Sequence, residues 1–309
     1  MKYLILGSEG FVGRELCRQL ADKFEAKVFR VDMVPRNKII AHHQYYRVNI
    51  SKTDKLLAII KRLRPDIIIN LAGLIDGERE RLFEANCFSP LRLIRALHKQ
   101  KIKIVLIGSA AEYGAISGRN KIAEGRALNA TSDYGLSKMV QTVLAIKEAE
   151  RGNGPSIVIG RIFNMIGPGI SNKLFVGAYA QKIASYEKQS KLKPLLVINP
   201  DSCRDLLSVK KVAAGIIALA QKGEKGQVYN ICSGQPRSVI SVVRDMLSLS
   251  RKNIPVLTDK CQPSRSDISR SVGDNKKISK LVKLGISRQE WMKELKDTLD
   301  WCRDKKQEA

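Results

Sequence analysis

The sequence predicts an α/β fold in which a doubly wound parallel sheet is followed by a smaller α/β region towards the C-terminus. Two observations predict it. Short apolar segments alternate with segments of helical spacing through the first half of the chain, in the order β-α-β-β-α-β-α-β. The segment at residues 66–73 contains a continuous apolar run, as expected for a parallel strand that is covered on both faces. Such alternation is typical of a parallel sheet with right-handed crossovers.

The first strand and the first helix are joined by a glycine turn. Gly7 allows a sharp turn, Gly10 allows a pyrophosphate to approach the backbone, and Gly13 allows the helix to pack closely on the sheet. The helix N-terminus then offers free N–H groups to phosphates. An ordinary strand–helix turn is the alternative. The pattern predicts a Rossmann-type dinucleotide-binding domain at residues 1–165, which also receives segments near 205–232, and a mainly substrate-binding region at 166–309. The predicted contacts in the turn are Gly7, Gly10, Phe11, Val12 and Gly13.

An acidic residue ends the second predicted strand. The carboxylate of Asp32 can accept hydrogen bonds from the adenosine ribose hydroxyls and repel a 2′-phosphate, which favours NAD(H). Arg30 and Arg36 lie nearby and leave NADP(H) open, because an arginine can hold that phosphate. The next strand ends supply further predicted cofactor contacts, which are Asn49, Ile50, Leu71, Ala72 and Gly73.

The candidate catalytic residues are Ser109, Tyr134 and Lys138. Tyr134 and Lys138 are four apart, so they share one helix face. An ammonium group near a phenol lowers the pKa of the phenol, and a phenol so tuned can exchange a proton with a carbonyl or alcohol oxygen. Ser109 ends a buried strand and can hydrogen-bond the same oxygen. A solvated helix face is the alternative for the Tyr–Lys pair, and we expect both residues to contact the cofactor as well.

The composition and charge of the chain limit the kinds of molecule that the protein is expected to bind. The net charge is +25 over 309 residues. Lys and Arg are spread along the chain and form no basic run interleaved with aromatic residues, so we expect either a solvated lysine-rich surface or attraction of anionic substrates, and no nucleic-acid binding. Six cysteines without a C-x-x-C pair and only three histidines predict free thiols and no metal site. No apolar run approaches membrane-spanning length, and we expect no membrane insertion and a cytoplasmic protein.

The order of these motifs resembles the extended short-chain dehydrogenase/reductase (NAD-dependent epimerase/dehydratase) family. The resemblance rests on the glycine turn, residues 70–73, Ser109 with Tyr113 and Gly114, the Tyr134–Lys138 pair, and residues 161–169. It implies an NAD(P)-dependent oxidoreductase that acts on a nucleotide-diphosphate sugar. It also implies a homodimer, built from the helices at 79–100 and 133–151.

Within that family the chain most resembles reductases of GDP-4-keto-6-deoxyhexoses, on residues 107–114, 163–169, 203–209, 228–234 and 271–275. The implied product is a GDP-6-deoxyhexose such as GDP-rhamnose. A 4-epimerase and a non-catalytic dinucleotide-binding relative are the alternatives. Ala110 and Ala111 stand where dehydratases of the family carry an acid pair, which argues against a dehydratase. The implied further contacts are Arg161 for the cofactor and Ser109, Asn164, Lys173, Arg204 and Arg265 for the substrate.

Overall fold

A computed structural model of the protein describes residues 1–24, 26–35, 44–116, 118, 120–260 and 269–304. The first half contains β1 (Lys2–Leu6), α1 (Phe11–Phe24), β2 (Lys27–Asp32), β3 (Gln44–Arg47), α2 (Thr53–Leu63), β4 (Ile67–Asn70), α3 (Arg79–Phe83), a π-helical turn (Glu84–Phe88), α4 (Ser89–Ala96), β5 (Lys103–Ser109), a 3₁₀ turn (Ala110–Tyr113) and α5 (Asp133–Glu150).

The second half begins with β6 (Ser156–Ile162), β7 (Asn164–Ile166) and α6 (Phe175–Tyr186). It continues with β8 (Leu195–Ile198), β9 (Cys203–Ser208), α7 (Val209–Lys222), β10 (Val228–Ile231), β11 (Pro236–Ser238), α8 (Val239–Leu247), β12 (Val256–Asp259), β13 (Arg270–Ser271), α9 (Lys276–Ser279) and α10 (Arg288–Asp304).

Seven parallel strands form the main sheet in the order β10-β6-β5-β4-β1-β2-β3. The chain runs outwards from β1 to β3 and then returns to β4 on the other side of β1. The carboxyl ends of β1 and β4 therefore flank the point where the winding reverses, and in open α/β sheets that crevice is where ligands bind. The predicted doubly wound parallel sheet is confirmed.

Both faces of the main sheet are covered. Helices α1 and α7 share one hydrophobic core with inward residues such as Tyr3 and Ile5, and α2, α4 and α5 share the other with Leu4 and Leu6. Every residue of β4 is buried, which is why its sequence shows no polar alternation.

The predicted helix at 79–100 is interrupted by the π-helical turn at Glu84–Phe88, and α4 begins directly after it. Pro90 has no N–H group and cannot close the α-helical bond to the carbonyl of residue 86. The wider π-helical turn at this point accommodates the missing hydrogen bond. The turn also faces α5, against which α3, the turn itself and α4 all pack.

A third core lies among the C-terminal elements. It is built mainly from α6, α8 and α10 with strands β8 and β9, beside small sheets formed by β11-β9-β13 with β7 and by β12-β8. The chain does not stay within this region, because β10 joins the main sheet and α7 packs on it. Ile278 and Leu284 also pack in the main-sheet core, which the sequence did not predict. The division of the chain near residue 165 stays a prediction.

Candidate active site

A cleft of about 610 Å³ lies at the carboxyl ends of the main-sheet strands. It extends from the glycine turn after β1, past the end of β5 and the start of α5, to the segment that leads into α6. Among the predicted residues, the cleft is lined by Gly7, Gly10, Phe11, Val12, Gly13, Leu71, Gly73, Ser109, Tyr134, Lys138, Asn164, Lys173 and Arg204. The structure therefore brings together residues from most of the length of the chain.

The glycine turn has the shape that a dinucleotide requires. A Cβ atom at Gly13 would lie 2.2 Å from the carbonyl oxygen of Gly7, and one at Gly7 would lie 2.7 Å from the nitrogen of Ala72, so both positions need glycine. At Gly10 the nearest atom would be 3.4 Å away, and this glycine also lines the cleft. The first turn of α1 contains no acidic residue. Its N–H groups can therefore receive a pyrophosphate.

Asp32 ends β2 beside this turn. One of its carboxylate oxygens accepts the N–H of Glu9 at 2.8 Å, and the other accepts the N–H of Met33 at 2.7 Å. A carboxylate oxygen has two lone pairs, so capacity remains for ribose hydroxyls. Arg30, which we considered as a partner for a 2′-phosphate, is instead buried and ion-paired to Glu9 at 2.6 Å. Arg36 lies outside the described residues.

Ser109 and Tyr134 both line the cleft, and the Ser109 hydroxyl lies close enough to the Tyr134 phenol to affect the pKa of that phenol. Ser109 ends β5, and Tyr134 lies in the first turn of α5, which Ser132 caps by accepting the N–H of Gly135 at 3.1 Å. The cap fixes where α5 begins, and so where Tyr134 faces the cleft.

Lys138 does not act on Tyr134 as the sequence suggested. Its Nζ atom donates to the carbonyl oxygen of Ile107 at 2.9 Å. Burial raises the pKa of Tyr134 above its usual value, against a lowering by the Ser109 hydrogen bond. The expectation of a lowered tyrosine pKa is therefore wrong for this structure, because desolvation outweighs the neighbouring groups. Burial also lowers the pKa of Lys138 to about 8.

Arg161 was a predicted cofactor contact, and the structure does not support that prediction. Its Nε donates to the Glu112 carboxylate at 2.8 Å, and its Nη1 donates to the Tyr113 hydroxyl at 2.9 Å. Arg161 is 3% exposed and is not part of the cleft wall. Arg161 thus links β6 to the 3₁₀ turn that follows Ser109 in the chain.

Besides Asp32, three other predicted cofactor contacts lie off the cleft wall. Asn49 and Ile50 follow β3, where Asn49 accepts the N–H of Ser51 at 3.0 Å and Ile50 packs against a main-sheet core. Ala72 packs against the same core, between the cleft residues Leu71 and Gly73.

The predicted substrate residues lie at the far end of the cleft. Asn164 donates to the carbonyl oxygen of Asp205 at 3.1 Å. Lys173 is paired with Asp76 across the mouth of the cleft, and both side chains are exposed. Arg204 donates to the carbonyl oxygen of Cys203 at 3.0 Å and also lines a smaller adjoining pocket. Arg265 lies outside the described residues.

Several cleft residues were missed by the sequence reasoning. They are mostly apolar or come from loops, and the structure places Leu74, Ile75, Asp76, Phe163, Met165 and Phe175 in the wall. No local pattern marks such residues, since apolar side chains occur throughout the chain. In the part of the chain that the structure describes, no His, Cys, Asp and Glu group could hold a metal ion, and no helix is long and apolar enough to cross a membrane.

A phosphate-binding turn at one end of a cleft and a serine–tyrosine pair at its centre are what a dinucleotide-dependent oxidoreductase needs. Comparison with known proteins agrees with this class. Residues 3–232 match the model of the NAD dependent epimerase/dehydratase family, and the chain belongs to that family. It is an NAD(P)-dependent oxidoreductase that acts on a nucleotide sugar.

Two curated relatives cover nearly the whole chain. GDP-6-deoxy-D-mannose reductase from Pseudomonas aeruginosa is 25% identical over 285 residues, which span 90% of this chain and 89% of the relative. GDP-6-deoxy-D-talose 4-dehydrogenase from Aggregatibacter actinomycetemcomitans is 24% identical over 285 residues, which span 90% of each.

Solved structures show the same fold. RMD from Pseudomonas aeruginosa complexed with NADPH superposes with a TM-score of 0.82 at 22% identity and covers 98% of each chain. The UDP-glucose 4-epimerase from Thermus thermophilus in complex with NAD gives a TM-score of 0.83 at 19% identity, over 99% of this chain and all of the other.

Proposed function

We propose that the protein is a nucleotide-sugar 4-ketoreductase, which reduces a GDP-4-keto-6-deoxyhexose to a GDP-6-deoxyhexose such as GDP-rhamnose. The observation that carries the proposal is the Ser109–Tyr134 pair at the cleft wall, with the pKa of Tyr134 raised by burial. A phenol that stays protonated at neutral pH can give its proton to a carbonyl oxygen as that oxygen becomes an alkoxide. Reduction needs this direction of transfer.

The kind of sugar is supported by two further observations. Both curated relatives carry a GDP-linked 6-deoxyhexose in their names. The cleft wall next to Ser109 is formed by Ala110 and Ala111, and Phe163 and Met165 add apolar surface. Apolar surface suits a methyl group at C6 better than a hydroxymethyl group, which would lose hydrogen bonds to water without replacing them.

The residues of the chain have separate tasks in the proposed reaction. When bound, the reduced dinucleotide supplies the hydride for the 4-keto carbon. Tyr134 gives the proton of its hydroxyl to the sugar oxygen, and Ser109 hydrogen-bonds that oxygen. Lys138 lies one helical turn after Tyr134 and holds the nicotinamide ribose. At the other end of the cleft, Lys173 and Arg204 bind the diphosphate by charge-assisted hydrogen bonds, and Lys173 exchanges its partner Asp76 for a phosphate oxygen.

A 4-epimerase is the second candidate, because an epimerase of known structure shares the fold. It would use Tyr134 in both directions, as base and then as acid, and would keep its dinucleotide through the whole cycle. A non-catalytic dinucleotide-binding relative is the third candidate, and the Ser109, Tyr134 and Lys138 set in the cleft argues against it.

The proposal is tested with purified protein, NADH or NADPH, and a panel of GDP- and UDP-linked 4-keto sugars. We expect loss of reduced-nicotinamide absorbance, one for one with product, on the GDP-4-keto-6-deoxyhexose. Sugar interconversion without net loss of that absorbance would instead establish the epimerase.

Tyr134→Phe gives the matched control for this assay. It removes only the hydroxyl group, so dinucleotide binding should persist while turnover falls by about 10²–10⁴-fold, the usual contribution of general acid catalysis. A variant that turns over at the wild-type rate would rule out Tyr134 as the proton donor.

We also propose that the protein is a homodimer and is cytoplasmic. Phe88 and Val143 are 44% and 46% exposed and lie on neighbouring helical elements, the π-helical turn and α5. A two-fold axis beside these elements would bury both side chains. Cys87, which precedes Phe88 in the π-helical turn, is buried within the protomer. The five described cysteines are free thiols, which suits a reducing compartment.

A further inference from the structure

Glu9 lies inside the glycine turn and is tied to both neighbouring charged groups. Its carboxylate accepts Arg30 Nη2 at 2.6 Å and the hydroxyl of Ser8 at 2.8 Å. Its backbone N–H donates to Asp32 Oδ2 at 2.8 Å. The Arg30 and Glu9 side chains are only 5% and 8% exposed. Arg30, Glu9 and Asp32 therefore form one connected group beside the glycine turn, where the adenosine ribose would bind.

The charges of this group do not balance. Within the group two carboxylates share one guanidinium, so the group itself carries one net negative charge. Arg47, in register with Asp32 on β3, donates its Nε to the carbonyl oxygen of Met33 at 3.1 Å. Ribose hydroxyls can donate to the remaining lone pairs of Asp32, whereas a 2′-phosphate would meet that negative charge. The excess charge favours a dinucleotide without the phosphate.

If Arg30 were no longer paired with Glu9, its guanidinium could bind the 2′-phosphate, and the preference for NAD(H) would be reversed. Arg30 lies two residues before Asp32, so the two side chains are on the same face of β2. Among the described residues, the buried Nε atom of Arg30 has no hydrogen-bond partner. The guanidinium thus has donor capacity that this part of the chain does not use, and its ion pair with Glu9 fixes the direction in which it points.

We propose that Glu9 is a second determinant of cofactor choice beside Asp32: it holds Arg30 in an internal ion pair and so excludes NADP(H) in favour of NAD(H). This inference concerns dinucleotide binding alone. It does not depend on which sugar is reduced, or on whether the sugar is reduced or epimerised.

The test is calorimetric titration of the full chain with NADH and with NADPH, in the absence of sugar. The wild type should bind NADH more tightly. Glu9→Gln keeps the shape of the side chain and removes its charge, and Glu9→Ala removes the partner altogether. Both variants should shift the ratio of the two dissociation constants towards NADPH, Glu9→Ala by at least about tenfold, which is ~1.4 kcal/mol.

A double variant shows whether Arg30 is responsible. In Glu9→Ala/Arg30→Met the gain in affinity for NADPH should disappear, because no guanidinium is left to bind the phosphate. Glu148→Gln is the matched control: Glu148 is 9% exposed and paired with Arg95, but lies near the end of α5, far from the turn. It should leave both constants unchanged.

Three results would overturn the proposal: a wild type that prefers NADPH, an unchanged ratio in both Glu9 variants, or a gain for NADPH that survives removal of Arg30. A wild-type preference for NADPH would still leave the proposed reductase reaction standing.

Discussion

At the residue scale, we expect Lys138 to set how dinucleotide affinity depends on pH. Burial lowers its pKa to about 8, so its ammonium is charged below that pH and neutral above it. Charged donors make stronger hydrogen bonds than neutral ones. We therefore expect the dissociation constant for NADH to be constant below about pH 8 and to rise above it, by up to about tenfold per pH unit. Calorimetric titration across this range measures the effect.

Two neighbours of Lys138, Tyr134 and Cys87, have pKa values that burial shifts upwards, away from this range. Burial raises the pKa of Tyr134 above its usual value and that of Cys87 to about 11. Lys138→Met should bind NADH weakly at every pH, and Lys138→Arg should keep a flat profile because its charge persists. If the wild-type constant did not change between about pH 7 and pH 9, the lowered lysine pKa would be wrong.

At the scale of the element, the 3₁₀ turn after β5 depends on one buried ion pair. Glu112 is fully buried, and it accepts the N–H of Ser109 at 2.8 Å and the guanidinium of Arg161 at 2.8 Å. Glu112→Ala leaves a buried charge without a partner, which typically costs about 3–5 kcal/mol. Urea unfolding should show this as a lower midpoint with an unchanged slope.

Removing both partners distinguishes the destabilisation caused by one unpaired buried charge from the contribution of the ion pair itself to the free energy of unfolding. Glu112→Gln/Arg161→Met should be more stable than Glu112→Ala, since no charge is left uncompensated. Activity of this double variant should still fall, because Ser109 begins the same turn and loses part of its support. A Glu112→Ala variant as stable as the wild type would show that the ion pair does not hold the turn.

At the scale of the whole molecule, the exposed apolar residues of the π-helical turn and α5 predict a dimer. Phe88→Asp/Val143→Asp places two carboxylates in the proposed interface, where burial of unpaired charge is unfavourable. Light scattering at micromolar concentration should show a dimer for the wild type and a monomer for the variant.

A control with the same chemistry is available elsewhere on the surface. Leu196 in β8 is 45% exposed, close to the value for Phe88, but lies in the two-stranded sheet of the C-terminal region. Leu196→Asp should leave the dimer intact. A wild type that is monodisperse and monomeric would contradict the proposed interface, and these residues would then be ordinary surface.

The fold and the centre of the site could be read from local sequence. The glycine turn needs a strand before it and a helix after it, and both show in the spacing of apolar residues. Tyr134 and Lys138 share a helix face because they are four apart, and Ser109 lies at the cleft because the carboxyl ends of parallel strands meet at one edge. Each inference uses residues that are close in sequence or a rule of sheet topology.

What each charged residue contacts was decided only by the tertiary structure. Arg30 is paired with Glu9, Arg161 with Glu112 and Lys173 with Asp76, and these partners are 21, 49 and 97 residues apart in the chain. The direction of the Tyr134 pKa shift also depends on how deeply the phenol is buried. The sequence alone determined which groups the site contains, because local spacing specifies strands, turns and helix faces. Charge pairing and desolvation arise from contacts between distant segments, so only the folded chain determines what those groups can do.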